Sequence, residues 1–282
     1  MVKALNFAVT GANGFLAKHI VTEIKSRKLK VTELTTYPTN KNQILVNYED
    51  SKELERALSG IDVLIHCAWT SSSAINRKDK ELQKINSRIS KKISHAVKDS
   101  GVKFLVGIGS QDELGTSDSP WKDDEKFTPQ SFYSEAKLET FTNFNDCGKN
   151  FIWARLFSIY GPFDKRDWVI NTVLKAIKTN TEIKLGACNQ KFSLTHVKDA
   201  ANCILSLIDN EIKGSVNIGE IDATSLRSSI ELILEIANKP ELVEFTNIID
   251  ERDQIRLSGK LEQIGWIPKI SKEVGFAELL KY

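Results

Sequence analysis

Tyr133 and Lys137 stand four residues apart in Tyr133-Ser134-Glu135-Ala136-Lys137, so on a helix they share one face. A phenol ionises near pH ~10, and a neighbouring ammonium pulls that value down towards a range useful for proton transfer. The pair therefore reads as a general acid–base unit. Ser110 closes an apolar run that begins at Phe104, placing a hydroxyl at a strand end. A second constellation lies at the N-terminal end, in Thr10-Gly11-Ala12-Asn13-Gly14-Phe15-Leu16-Ala17. There Gly11 permits a tight turn, and Gly14 lets the backbone approach a pyrophosphate at the start of a helix.

These residues must be positioned by the elements around them. Apolar, β-branched runs at residues 5–10, 31–35, 43–47, 63–68, 104–109 and 152–159 read as strands. Between them lie helical patterns at 16–25, from Asp50, and from about Phe132. A long one is marked by Leu82, Ile85, Ile89, Ile93 and Ala96. Alternation of this kind predicts an α/β fold: a Rossmann-type, doubly wound parallel sheet with helices on both faces. After Tyr160-Gly161-Pro162 the rhythm changes to longer helices (168–178, 197–208, 226–236) separated by short strands. The division expected is a dinucleotide-binding domain over 1–162. A smaller α/β, mainly substrate-binding part over 163–282 interleaves with it.

The glycine turn resembles the T-G-x-x-G-x-x-G/A fingerprint of the extended short-chain dehydrogenases, the NAD-dependent epimerase/dehydratase family. Ala17 takes the place of the third glycine. Tyr133/Lys137 resembles that family's Y-x-x-x-K, and Gly109-Ser110-Gln111-Asp112-Glu113-Leu114-Gly115 its strand-end serine stretch. Similar family stretches are His66-Cys67-Ala68, Arg155-Leu156-Phe157-Ser158-Ile159-Tyr160-Gly161-Pro162, Gln190–Asp199 and Ile264-Gly265-Trp266-Ile267-Pro268. The resemblance implies catalytic roles for Tyr133, Lys137 and Ser110. It implies cofactor contacts at Gly11, Asn13, Gly14, Phe15, Leu16, Thr36, Asn47, His66, Ala68, Tyr133 and Lys137. It implies substrate contacts at Gln111, Glu113, Phe157, Ser158 and Lys191, with His66 structural in its chemistry.

The second strand ends in Thr35-Thr36-Tyr37-Pro38 with Lys41 nearby, and lacks the carboxylate that takes the ribose 2′-hydroxyl of NAD. That favours NADP(H), with NAD(H) left open. By the same resemblance, the activity expected first is reduction of a 4-keto-6-deoxy nucleotide sugar. An NAD-dependent 4-epimerase is the alternative, followed by a 4,6-dehydratase and a non-catalytic NADP-binding protein. Dehydratases of the family carry Asp-Glu directly after the strand-end residue, whereas here Gln111 intervenes. The helices bearing Leu82 and Tyr133 pair in relatives as a dimer interface, so a homodimer is expected.

A net charge of +2 argues against a nucleic-acid partner. Scattered Cys67, Cys147, Cys188 and Cys203 form no C-x-x-C pair, which argues against a metal site or a disulfide framework. No apolar stretch nears the ~20 residues that span a bilayer. Strand-like sequence directly after the first residues leaves no signal segment, so the expectation is a cytoplasmic enzyme without membrane contact.

Overall fold

The computed structural model describes residues 5–71, 73–117, 119–249 and 253–282. From the N-terminal end the elements are β1 (Asn6–Thr10), α1 (Phe15–Ser26), β2 (Lys30–Thr35), β3 (Gln43–Leu45), α2 (Ser51–Ala57) and β4 (Val63–His66). Then come α3 (Lys80–Lys98), β5 (Phe104–Ser110), α4 (Phe132–Asn145), β6 (Asn150–Leu156), β7 (Ile159–Tyr160), α5 (Val169–Thr179) and β8 (Ile183–Leu185). β9 (Lys191–Phe192), β10 (Thr195–His196), α6 (Val197–Asp209), β11 (Gly214–Ile218) and β12 (Thr224–Ser225) follow. The last are α7 (Leu226–Ile236), β13 (Val243–Phe245), α8 (Lys260–Gln263) and α9 (Lys272–Leu279).

β1 to β6 and β11 form one seven-stranded sheet in the order β11-β6-β5-β4-β1-β2-β3. Every pairing in it is parallel. Ala8, Val9, Leu64, Ile65, Leu105 and Val106 are buried, as expected of strands covered on both faces. On one face α1 and α6 lay Ile20, Ile24, Ile204 and Leu207 against Val9, Ile65 and Val106. On the other, Leu54, Leu58, Ile93, Val97 and Phe144 pack with Leu64, Leu105 and Trp153. Tyr160, Ile170, Val173, Ile230, Ile233 and Phe276 build a separate cluster in the C-terminal part. That part also returns α6 and β11 to the central layers. The chain builds β2 and β3 on one side of β1 and then crosses to β4 on the other. The crevice above β1 and β4 is therefore the topological switch point where such sheets bind ligands.

Three local expectations are corrected. Residues 152–159 are not one strand: β6 stops at Leu156, where the Phe157 N–H reaches Ile218 O (2.9 Å) and Ser158 O accepts from Thr195 N–H (2.8 Å). β3 ends at Leu45, because Asn47 turns the chain, its side chain accepting from the Glu49 N–H (3.0 Å). On α3, Ile93 and Ala96 are buried but Leu82, Ile85 and Ile89 are only half-buried. The buried face consists largely of Gln83, Asn86, Ser87, Ser90 and Ser94, and the Thr140 hydroxyl of α4 donates to Ser90 (2.9 Å). Small polar residues let the two helices approach closely, which apolar periodicity cannot register.

Candidate active site

The glycine turn sits at the switch point. Gly11 has φ +65°, and a Cβ there would lie 2.7 Å from Ala68 Cα, so the turn packs directly on the chain leaving β4. The Gly11 N–H donates to the Tyr48 hydroxyl (3.0 Å), which donates to Leu34 O (2.9 Å) and ties the turn to β2. α1 starts at Gly14 with no side-chain cap and no acidic residue in its first turn. Its free N–H groups and positive dipole end suit a pyrophosphate, so the residues present fit a dinucleotide.

α4 begins with a capping box between Ser131 and Ser134, which fixes the first turn on which Tyr133 stands. Tyr133, Lys137 and Ser110 are all buried. The Lys137 ammonium donates to Ile108 O (2.8 Å) and lies 3.6 Å from the centre of the Trp69 ring. Burial lowers its pKa, and the Glu113 carboxylate opposes that shift. Burial, opposed by the Arg77 cation and aided by Asp112, leaves the Tyr133 phenol raised to about 12. Trp69 meets Tyr133 edge-on, with ring centres 5.7 Å apart. His66 shares a hydrogen bond between Nδ1 and the Thr10 hydroxyl (2.8 Å). Burial, and secondarily Lys137, depress its pKa to about 3, so the ring is neutral at working pH and serves packing and β1–β4 alignment.

These groups open onto a cavity of about 540 Å³. Gly14, Phe15, Leu16, His66 and Ala68 line it, together with Ser110, Gln111, Tyr133, Lys137, Phe157 and Ser158. Gln111, Asp112, Gln190, Phe192 and Gln254 separate it from a second, polar cavity of about 530 Å³. Some expected residues stand elsewhere. Glu113, expected to contact substrate, is completely buried; it accepts from Ser110 N–H (2.6 Å), Trp153 Nε1 (2.8 Å) and Arg155 Nε (3.3 Å). It shapes the strand end carrying Ser110, and Gly109 leaves room for Trp153 beneath, where a Cβ would run into the indole nitrogen.

Asn13 turns its amide to Thr35 and accepts from Thr39 and Gln43 (both 2.9 Å), holding the segment after β2 and not the cavity. Thr36 and Asn47 are exposed at that outer end, and Lys191 is exposed on β9, outside both cavity linings. Trp69, Arg77 and Gln254 line the cavity without having been singled out from sequence. Trp69 and Arg77 lie between β4 and α3, where no periodic pattern marks them. Gln254 is more than a hundred residues from Gln111, its hydrogen-bond partner.

Residues 7–219 match the model of the family described as NAD dependent epimerase/dehydratase family. UDP-glucuronic acid decarboxylase 1 of Arabidopsis thaliana is 24% identical, over 99% of this chain and 69% of that protein. The dTDP-4-dehydro-6-deoxyglucose reductase of Escherichia coli is 23% identical, over 97% of this chain and 96% of that protein. The UDP-glucose 4-epimerase of Thermus thermophilus, solved as a complex with NAD, superposes with a TM-score of 0.83. It is 20% identical, over 98% of each chain, and shares the fold. With its glycine turn, Ser110, Tyr133 and Lys137 gathered at the switch point, the chain belongs to the NAD dependent epimerase/dehydratase family, the extended short-chain dehydrogenases that work on nucleotide sugars with a nicotinamide cofactor.

Proposed function

We propose that this protein reduces the keto group of a 4-keto-6-deoxy nucleotide sugar with NADPH. The observation that carries the reading is the content of the larger cavity: Ser110, Tyr133 and Lys137 share it with the uncapped start of α1. A bound nicotinamide supplies the hydride. Tyr133 donates its phenol proton to the carbonyl oxygen, and Ser110 orients that oxygen with its hydroxyl. Lys137 holds positive charge beside the phenol and favours its ionised form as the proton leaves.

Elimination chemistry is poorly served here. Glu113 is tied up in the core by Trp153 and Arg155, Asp112 is paired with Arg77, and Gln111 cannot ionise. The cofactor preference draws on the ribose end of the crevice. The nearest acid on β2, Glu33, is buried and ion-paired with Lys25 (2.5 Å), leaving Thr36 and Lys41 exposed beyond it. Such an edge tolerates a 2′-phosphate.

The test is loss of nicotinamide absorbance with a 4-keto-6-deoxyhexose nucleotide generated in situ by a dehydratase. Tyr133→Phe should lower turnover by about 10²–10⁴-fold with NADPH binding nearly unchanged. Lys137→Met should lower both. Full activity in Tyr133→Phe would sink the mechanism. Interconversion of two sugar nucleotides without net cofactor use would replace the reductase with the 4-epimerase.

A further inference from the structure

The Arg77 guanidinium stands over the face of the Tyr133 ring, 4.5 Å from its centre, and is ion-paired with Asp112. Both side chains are about one third exposed (32% each), at the cavity wall. Trp69 meets the same ring edge-on and carries the Lys137 ammonium on its own face. The proton-transfer group thus has two cations near its ring, Arg77 at 4.5 Å and Lys137 at 5.6 Å from the centre, and only one belongs to the Tyr133/Lys137 pair.

We propose that Arg77 is a positioning residue for the reaction, the fixed cation that orients Tyr133 and favours its ionised form, with Asp112 setting how strongly it does so. This rests on Tyr133 being the group that exchanges the proton. The two cations differ in kind. Lys137 is buried, and burial works against its charge. A guanidinium remains charged at every working pH. The groups around the phenol and Lys137 can be named element by element. Cys67 and the neutral His66 lie at the end of β4, Arg77 on the segment before α3, Ser110 at the end of β5, Asp112 and Glu113 on the following turn, and Lys137 on α4. Arg77 is the cation with the largest influence on the phenol, and Asp112 the anion with the largest.

A specific signature follows. Arg77→Gln removes a cation and should raise the phenol pKa, whereas Asp112→Asn removes an anion and should lower it. If the ion pair served only to pin residues 76–78 against the turn at 111–113, breaking either end would act alike. A fluorinated tyrosine placed at position 133, whose phenol ionises at lower pH than tyrosine, gives a single ¹⁹F resonance to titrate. We expect the midpoint to rise by about one pH unit in Arg77→Gln, to fall in Asp112→Asn, and to stay close to the starting value in Arg77→Lys. Shifts of the same sign in Arg77→Gln and Asp112→Asn, or no shift in either, overturn the proposal. Arg77→Lys and Asp112→Asn keep the test decisive should Arg77→Gln fold poorly. The titration needs neither cofactor nor sugar. Opposite shifts without ketone reduction would sink only the proposed function; turnover with an unmoved midpoint would sink only the role of Arg77.

Discussion

Replacing Arg155 with methionine should make the protein's stability depend on pH through one buried carboxylate. Arg155 and Glu113 are both completely buried, with Nε 3.3 Å from Oε2. Methionine fills much of the same space and removes the cation. Glu113 keeps the Trp153 and Ser110 hydrogen bonds but loses the cation paired with it, leaving only the weaker pull of the Lys137 charge. Breaking one side of a buried pair costs about 3–5 kcal/mol. Proton uptake limits the cost. With an unfolded-state pKa of about 4.3 and about 1.36 kcal/mol per pH unit, holding Glu113 neutral costs up to about 3.7 kcal/mol at pH 7 but only about 1 at pH 5.

The sign is that of a carboxyl whose folded pKa is raised by burial, and raised further once Arg155 no longer draws it down. The folded state then binds more protons than the unfolded one, so stability falls as pH rises above about 4.3. Thermal unfolding followed by circular dichroism should show a deficit relative to wild type of roughly 6–12 °C at pH 7, shrinking towards pH 5. Glu113→Gln combined with Arg155→Met should lose that slope, because no carboxyl remains to titrate. A deficit equal at pH 5 and pH 7 would refute the account.

Three further outcomes are expected. Gly11→Ala forces a side chain onto the Ala68 backbone at a positive φ. Strain of about 1–2 kcal/mol for the backbone alone should lower the melting temperature and weaken cofactor binding about tenfold or more, read by nicotinamide fluorescence. Unaltered affinity there would mean that the turn does not hold the cofactor. Thr36→Asp should shift preference from NADPH towards NADH by charge repulsion, and equal titrations before and after would show the ribose site misplaced. The half-buried Leu82, Ile85 and Ile89 on α3, beside α4, suit a homodimer; light scattering should give twice the 31.7 kDa chain mass, and a monomer at micromolar concentration excludes it.

The central architecture was legible because its signals are local. The runs that became β1, β4 and β5 are apolar over their length, as burial on both faces demands, and the glycine turn joins the first strand to the first helix. The i, i+4 spacing put Tyr133 and Lys137 on one side of α4, both buried beside Ser110. The family resemblance also gave Glu113 to the substrate, because an exposed and a buried carboxylate read alike in sequence. Its role was decided by Arg155 and Trp153 on β6, whose indole fits over β5 only because Gly109 has no side chain. The polar face of α3 was hidden for a related reason: its serines are satisfied in part by a helix that the sequence does not mark as a neighbour. Arg77 depended wholly on tertiary structure. Its sequence neighbours carry no pattern, and over Tyr133 it is ion-paired with Asp112, thirty-five residues away. Local pattern was enough for most of the elements and for the residues able to move a proton. Which charges face one another rests on burial and pairing between segments distant in the chain, and these follow only from the folded packing.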